Sequence, residues 1–342
     1  MMEKILSVCI PTYNMEALLS RCLDSFILDK NYMDKLEVIV VNDGSKDGSS
    51  VIAHQYADKY PNSYIVIDKP NGNYGSCINA ALKVSSGKYF KICDADDKYD
   101  TGNLKEFITF LENMNTDIVF SPFTTLMNNG TIKESMACPE SMFGKIFSID
   151  DINWNSGKTM LFRAMHCIST KTSILVDNKY VQTEGISYTD TQFSFYSLLY
   201  SNTCSFYNKN IYLYYLGRDG QTMSISSMKK SHSHFYLNAD RMLDTYKQIL
   251  HPLSDNRKSV LFDCIFMETL YYVNVVLGSI FNVSEQIKII KKIVSKSKSS
   301  LNSCPLEEKL LELSPRYRLW KKYHVPTSVI FILTSIWRFF KL

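Results

Sequence analysis

Strand-like runs and amphipathic helical stretches take turns along the first 120 residues, and this alternation constrains the fold more than any other feature of the chain. Leu6–Ile10 is a short apolar run stopped by Pro11, and Asn14 is placed to cap a helix with Leu18, Leu19, Cys22, Leu23 and Phe26 on one face. Leu36–Val41 has the β-branched content of a fully buried strand. A helix over Ser49–Tyr60, a strand over Tyr64–Asp68 and a helix over Ser76–Val84 follow. A strand over Lys88–Cys93, a helix over Asn103–Asn113 and a strand over Thr116–Ser121 complete the series. Strands separated by helices at this spacing predict an α/β fold: a mixed, mostly parallel sheet flanked by helices on both faces. Ligands of such sheets gather at the carboxyl ends of the strands.

Polar, turn-forming clusters stand where those carboxyl ends should be. Pro11-Thr12-Tyr13-Asn14 follows the first strand, Asn42-Asp43-Gly44-Ser45 the second, and Asp94-Ala95-Asp96-Asp97 the fourth. Three carboxylates within four residues repel one another unless a cation or hydrogen-bond donors offset them. A magnesium or manganese ion bridging a diphosphate needs hard oxygen ligands, which a D-x-D at a strand end supplies. An exposed turn capping the next helix is the plainer reading of such a cluster, and the sheet context weighs against it. Asp43 has the chemistry to accept a uracil N–H, or simply to cap its turn. Tyr13 can stack on a base or pack locally. Asn71-Gly72-Asn73-Tyr74-Gly75-Ser76 opens a helix, and helix N-termini favour anions. The glycine-rich loops of dinucleotide and ATP sites, G-x-G-x-x-G after the first strand and G-x-x-x-x-G-K-[ST], are absent from the sequence.

Ser7–Asn14 (SVCIPTYN), Val38–Ser49 (VIVVNDGSKDGS) and Gly87–Asp97 (GKYFKICDADD), in that order, closely resemble the family 2 glycosyltransferases over residues 4–125, and more weakly on to about 224. The resemblance implies the GT-A fold, a single Rossmann-like nucleotide-sugar domain, and an inverting transfer from a nucleotide diphosphate sugar, usually a UDP-sugar. On that basis Pro11, Tyr13, Asn14, Asp43, Asn73, Gly75, Asp94, Ala95 and Asp96 are expected at the donor. Asp96 and Asp97 are expected at a divalent metal, Mn2+ or Mg2+. Arg218 and Ser224, in a loop similar to one that covers the donor diphosphate, are expected to hold phosphate. The catalytic base is carried to Asp190, with Glu184 in reserve, and capping the following helix is the competing role for Asp190. His232 or His234 is a candidate extra metal ligand, against the commoner surface pair. Two departures limit the transfer: Ile78 stands where many members have arginine, and Thr189 precedes Asp190 where glutamate is usual.

The second half reads differently. Met127–Trp154 is a mixed loop with a turn at Asn128-Asn129-Gly130. Arg163–Leu175 looks strand-like, Gln192–Tyr200 helical and Ser205–Leu216 extended. Beyond Lys229 the pattern is helical: about Phe235–Leu250, Val260–Phe281, Ser284–Lys296 and Leu306–Leu313. The expected organisation is a GT-A domain over 1–228, with a nucleotide-binding part at 1–125 and an acceptor part at 126–228, then a helical C-terminal region over 229–342. Val260–Phe281 carries Asp263, Glu268 and Asn274, which favours a buried helix over a membrane span.

Charge is split along the chain. From Ser284 to Leu342 there are 12 Lys/Arg against 4 Asp/Glu, or +8, which leaves the first 283 residues at −4. Arg316–Tyr323 mixes cations with aromatics and leads into apolar Val325–Phe340, a candidate for the membrane surface or for docking on the protein's own core. Nine cysteines, an odd number with no C-x-x-C pair, and no apolar leader lead to the expectation of a cytoplasmic protein, with peripheral contact on the inner face of the cell membrane. The expected partners are a nucleotide-sugar donor and a saccharide or lipid-linked saccharide acceptor, with no nucleic acid. The rival activities are a nucleotidyltransferase that makes an activated sugar, whose basic glycine-rich N-terminal loop is missing at Pro11–Leu19, and a non-catalytic sugar-nucleotide-binding subunit, which would be expected to lose the aspartate cluster.

Overall fold

The structure, a computed structural model, describes residues 3–134, 140–154, 163–217, 225–249, 252–279, 283–300 and 306–323. The chain divides into two compact units: Met1–Arg218 with Leu253–Leu261, and Asp219–Pro252 with Phe262–Leu342.

In the first unit the order is β1 (Leu6–Thr12), α1 (Glu16–Asp24), α2 (Lys30–Met33), β2 (Leu36–Asn42), α3 (Ser49–Lys59), β3 (Tyr64–Asp68), α4 (Asn73–Val84), β4 (Tyr89–Ile92), β5 (Lys98–Tyr99) and α5 (Thr101–Asn113). Then come β6 (Ile118–Phe120), β7 (Phe123–Met127), β8 (Ile132–Glu134), β9 (Ile146–Ser148), β10 (Ile168–Lys171), α6 (Thr172–Asp177), α7 (Asp190–Tyr200), β11 (Thr203–Phe206) and β12 (Tyr212–Leu216). Eight strands form one sheet in the order β3-β2-β1-β4-β10-β6-β11-β9, and β5-β12-β7-β8 form a second. In the large sheet β10 pairs antiparallel with both β4 and β6, and β9 antiparallel with β11; the other pairings are parallel. Six strands therefore run one way, the mixed, mostly parallel sheet expected of a GT-A fold.

Burial explains why these runs are strands. Every residue of β2 is buried, as a central strand covered on both faces requires. The one charge in it, Glu37, accepts hydrogen bonds from Ser7 Oγ (2.6 Å), Ser86 N (3.0 Å) and Ser86 Oγ (2.7 Å). The helical face of Leu19, Cys22 and Leu23, with Phe26 just beyond, is buried as predicted, while Leu18 is half-buried. Asn14 does not cap α1; Met15 occupies that position. Asn14 instead adopts φ 52° and accepts the Lys46 N–H, tying the first strand-end loop to the second.

Three expectations about the later chain change. Arg163–Leu175 is a strand only over Ile168–Lys171, because its partner β4 begins at Tyr89, opposite Lys171, and the ladder runs out there. The β-branched residues that follow enter α6. Ser205–Leu216 is two strands in different sheets, β11 and β12. Within Met127–Trp154, β8 and β9 form as sheet edges, each paired on one side only among the described residues, which leaves little apolar pattern in the sequence. The Asn128-Asn129-Gly130 turn joins β7 to β8, with Gly130 at φ 81°.

In the second unit α8 (Ile225–Lys230), α9 (His232–Lys247), α10 (Asp255–Ser279, which starts in the first unit), α11 (Val283–Ser300), α12 (Leu306–Leu313) and α13 (Pro315–Tyr323) account for the described residues. Lys296 of α11 pairs with Asp240 (2.6 Å) and Asp244 (2.9 Å) of α9, and Lys309 of α12 pairs with buried Asp263 of α10. α10 is long and apolar enough to cross a membrane, yet 72% of its apolar stretch is buried within the structure, as Asp263, Glu268 and Asn274 led one to expect. Arg316–Tyr323 is helical, and Val325–Phe340 lies outside the described residues.

Candidate active site

The parallel register brings the ends of the first strands level: Thr12 lies opposite Asn42, and Asn42 opposite Asp68. The loops after β1, β2, β3 and β4 therefore leave one edge of the sheet together. Tyr13 is exposed there, beside Pro11 and Asn14. Asp43 is buried, and its Oδ1 accepts Lys69 Nζ (2.6 Å) and the Gly72 N–H (2.9 Å), with Ser76 Oγ at 3.4 Å. Among the described residues every hydrogen bond to this carboxylate goes to Oδ1, which leaves Oδ2 to accept from a ligand. Lys69 spends its other donors on the Pro70 carbonyl (2.7 Å) and Ser76 Oγ (2.8 Å). The sequence reading did not single out Lys69, because a lysine just before an N-x-N turn has no motif of its own.

Asn73 opens α4 at φ 64°, and Gly75 sits in its first turn against the chain at Thr183. Between them, Tyr74 reaches across the site and donates its hydroxyl to Asp94 Oδ1 (2.7 Å). Ala95 is buried and Asp96 half-buried; the Asp96 carbonyl accepts from Arg21, whose guanidinium lies 4.0 Å from the Tyr215 ring centre. Asp97 is fully buried. Its two oxygens accept the Tyr212 hydroxyl (2.6 Å) and the Tyr215 N–H (2.8 Å), which couples the acidic loop to β12. Burial, then the charges of Asp94 and Asp96, push Asp97 up to about 9.

Asp94, Asp97 and His166 each present a ligand atom within 4.8 Å of the others. Two ligands about 2.1 Å from one ion stand at most ~4.2 Å apart, so a small contraction would close them on a cation. Among the described residues neither ring nitrogen of His166 has a hydrogen-bond partner, and burial followed by the Lys91 charge lowers its pKa to about 3, which keeps the imidazole neutral. Unpartnered imidazole nitrogens beside two repelling carboxylates fit a divalent ion. His166 is absent from the sequence reading, since only the tertiary structure carries the chain before β10 back to the acidic loop. Of the two expected ligands, Asp97 is one of the three and Asp96 is adjacent to the group without being a member. Neither His232 nor His234 belongs to it; His232 Nδ1 lies 3.0 Å from the Lys229 carbonyl, and its ring stacks on Tyr272.

Asp190 is the first residue of α7, after Thr189 at the cap position. Burial raises its pKa, partly offset by the N–H groups of Asp190 and Thr191. Its charge is felt at Tyr74 and Tyr214, which also feel Asp94. Glu184 is exposed and accepts from Asn79 Nδ2 (2.8 Å). Arg218 and Ser224 lie outside the described residues.

The large mixed sheet flanked by helices, with acidic residues in the loops at one edge, is that of the GT-A class of folds. Residues 7–167, a little under half of the chain, match the family model "Glycosyl transferase family 2". Over 228 residues, 65% of this chain and 34% of its relative, it is 29% identical to the poly(ribitol-phosphate) beta-glucosyltransferase of Bacillus spizizenii. The fold resembles the 1–349 portion of S. aureus TarS in complex with UDP-GlcNAc, with TM-score 0.57, 20% identity and coverage of 94% of this chain and 91% of that one. It also resembles the mannosyltransferase PcManGT of Pyrobaculum calidifontis in complex with GDP-Man and Mn2+, with TM-score 0.52, 14% identity and coverage of 94% and 84%. The matched stretches span about a third or less of the length of the first curated relatives.

Proposed function

We propose that this chain transfers a single hexose or N-acetylhexosamine from a UDP-sugar to a hydroxyl acceptor with inversion, in the assembly of a cell-surface polymer. The observation that carries this reading is the cluster of Asp94, Asp97 and His166 ligand atoms within 4.8 Å of one another, with the Tyr74 hydroxyl on Asp94, at the sheet edge that also holds Asp43. Asp43 Oδ2 accepts the N–H of the uracil ring, Tyr13 stacks on the base, and the first turn of α4 faces the phosphates. Asp94 and Asp97 with His166, and Asp96 beside them, would hold a divalent cation, which neutralises charge growing on the departing diphosphate. Asp190 takes the proton of the acceptor hydroxyl as its oxygen bonds to the anomeric carbon and the bond to the diphosphate breaks. An α-linked donor then gives a β-linked product. A poly(ribitol phosphate) chain is the favoured acceptor, because relatives named for that polymer align over about two thirds of this chain. Residues 1–228 serve as the catalytic domain and 229–342 as its helical extension, whose basic C-terminal segment rests on the inner face of the cell membrane.

Release of UDP from a panel of UDP-sugars, with and without manganese, tests this function. Asp96→Ala is expected to abolish turnover and weaken donor binding, and Asp190→Asn to spare donor binding while removing transfer. A purified protein that turns over no nucleotide sugar under any of these conditions would refute it.

A further inference from the structure

Asp190 follows a segment that has no regular structure and that bends through two left-handed residues, Gly185 at φ 76° and Tyr188 at φ 63°. A bulky residue in that region costs roughly 1–3 kcal/mol and persists only where its surroundings over-determine it. Here the surroundings centre on one side chain. Gln182 is fully buried, and its Nε2 donates to both the carbonyl (2.9 Å) and Oγ1 (2.9 Å) of Thr189, the residue between Tyr188 and Asp190. Its Oε1 accepts the Tyr180 hydroxyl (2.8 Å). Its backbone is held at the same time by Asn79 of α4, which accepts the Gln182 N–H (2.8 Å) and donates to the Gln182 carbonyl (2.9 Å). Buried Gln192, one turn into α7, accepts the Thr183 N–H (3.1 Å) and hydroxyl (3.0 Å) and closes the loop from the far side.

These contacts form a chain from α4, whose first turn faces the proposed donor phosphates, through Gln182 and Thr189 to the first residue of α7. No aliphatic side chain can reproduce them, because both hydrogens and the oxygen of the amide are used. We infer that Gln182 is a positioning residue: it holds Thr189, and through it Asp190, in register with α4, so that the carboxylate meets an acceptor hydroxyl beside the bound donor. This rests on the reading of Asp190 as the base.

The test compares Gln182→Met, Asp190→Asn and the double variant in the full-length protein. Gln182→Glu, which keeps the acceptor for Tyr180 and loses the donors to Thr189, serves as a second, isosteric probe. For both Gln182 variants the expected result is a kcat lowered by about 10- to 100-fold with UDP affinity unchanged within about twofold, since a misplacement near 1 Å costs about that much in rate. In the Asp190→Asn background Gln182→Met should cost nothing further, because it acts through a group already removed. A folded Gln182 variant with wild-type kcat, a loss of UDP affinity parallel to kcat, or a full additional loss in the double variant would each overturn the inference while leaving the base assignment standing. Wild-type turnover by Asp190→Asn alone would overturn both.

Discussion

Gly75→Ala puts the proposed link between donor site and base under direct load. A Cβ at Gly75 would stand 1.9 Å from the Thr183 carbonyl oxygen and 2.8 Å from its carbon. Reaching even 3.0 Å from that oxygen, the lower limit of real Cβ contacts, requires an opening of about 1.1 Å. The helix cannot supply it, because Cys77, Ile78 and Ala81 bury α4 in the core. The 183–188 segment can, since Glu184 and Gly185 are exposed, and its movement breaks the Gly185 N–H to Gly72 carbonyl bond of 2.8 Å. Overpacking of this kind costs about 1–3 kcal/mol, and a displacement of this size at a reacting group lowers rate about 100-fold. We expect kcat for sugar transfer to fall by about two orders of magnitude while UDP still binds. Gly102→Ala, in the first turn of α5 where the nearest atom is Asp100 Oδ1 at 3.5 Å, is the matched control and should be neutral or slightly stabilising. Steady-state kinetics, UDP titration and thermal melts of both variants decide the matter. A folded Gly75→Ala enzyme with kcat within twofold of wild type would show that the Thr183 contact does not govern the position of Asp190.

Further outcomes follow from the same geometry. Since burial raises Asp190 and a base must be ionised, kcat/KM should fall as pH drops through an apparent pKa above the ordinary carboxylate value of about 3.9; a pH–rate profile checks this. Lys91 is fully buried and pushed down to about 7, so between pH 7 and 10.5 the unfolded chain binds a proton that the folded chain does not. Stability should therefore rise with pH in that window, by up to ~1.4 kcal/mol per unit, and urea midpoints at pH 7 and 9 should differ less in Lys91→Met than in wild type. Lys69→Met leaves buried Asp43 without its cation and should lower UDP affinity about 10- to 100-fold by calorimetry, with Asp43→Asn in the same background restoring the melting temperature but not UDP binding.

Local pattern carried the first 125 residues of this protein. The apolar runs of β1, β2 and β4 and the amphipathic faces between them are short-range signals, and a parallel sheet turns them into a shared edge, so Asp43 and the acidic loop could be placed without coordinates. Asp190 was placed by family resemblance rather than by pattern, since an acid at a helix start reads equally well as a cap. What the amino-acid order could not show is what closes around those residues. His166 meets Asp94 and Asp97 only because β10 runs antiparallel between β4 and β6, and Tyr212 reaches Asp97 because β12 leaves the main sheet for a second one. Lys69 with Asp43, and Gln182 with Thr189 and Asn79, are contacts between residues with no periodic relation to one another. Periodicity records which face of an element meets the core; it holds no record of which distant side chain will satisfy a buried carboxylate or amide, and that was decided by packing.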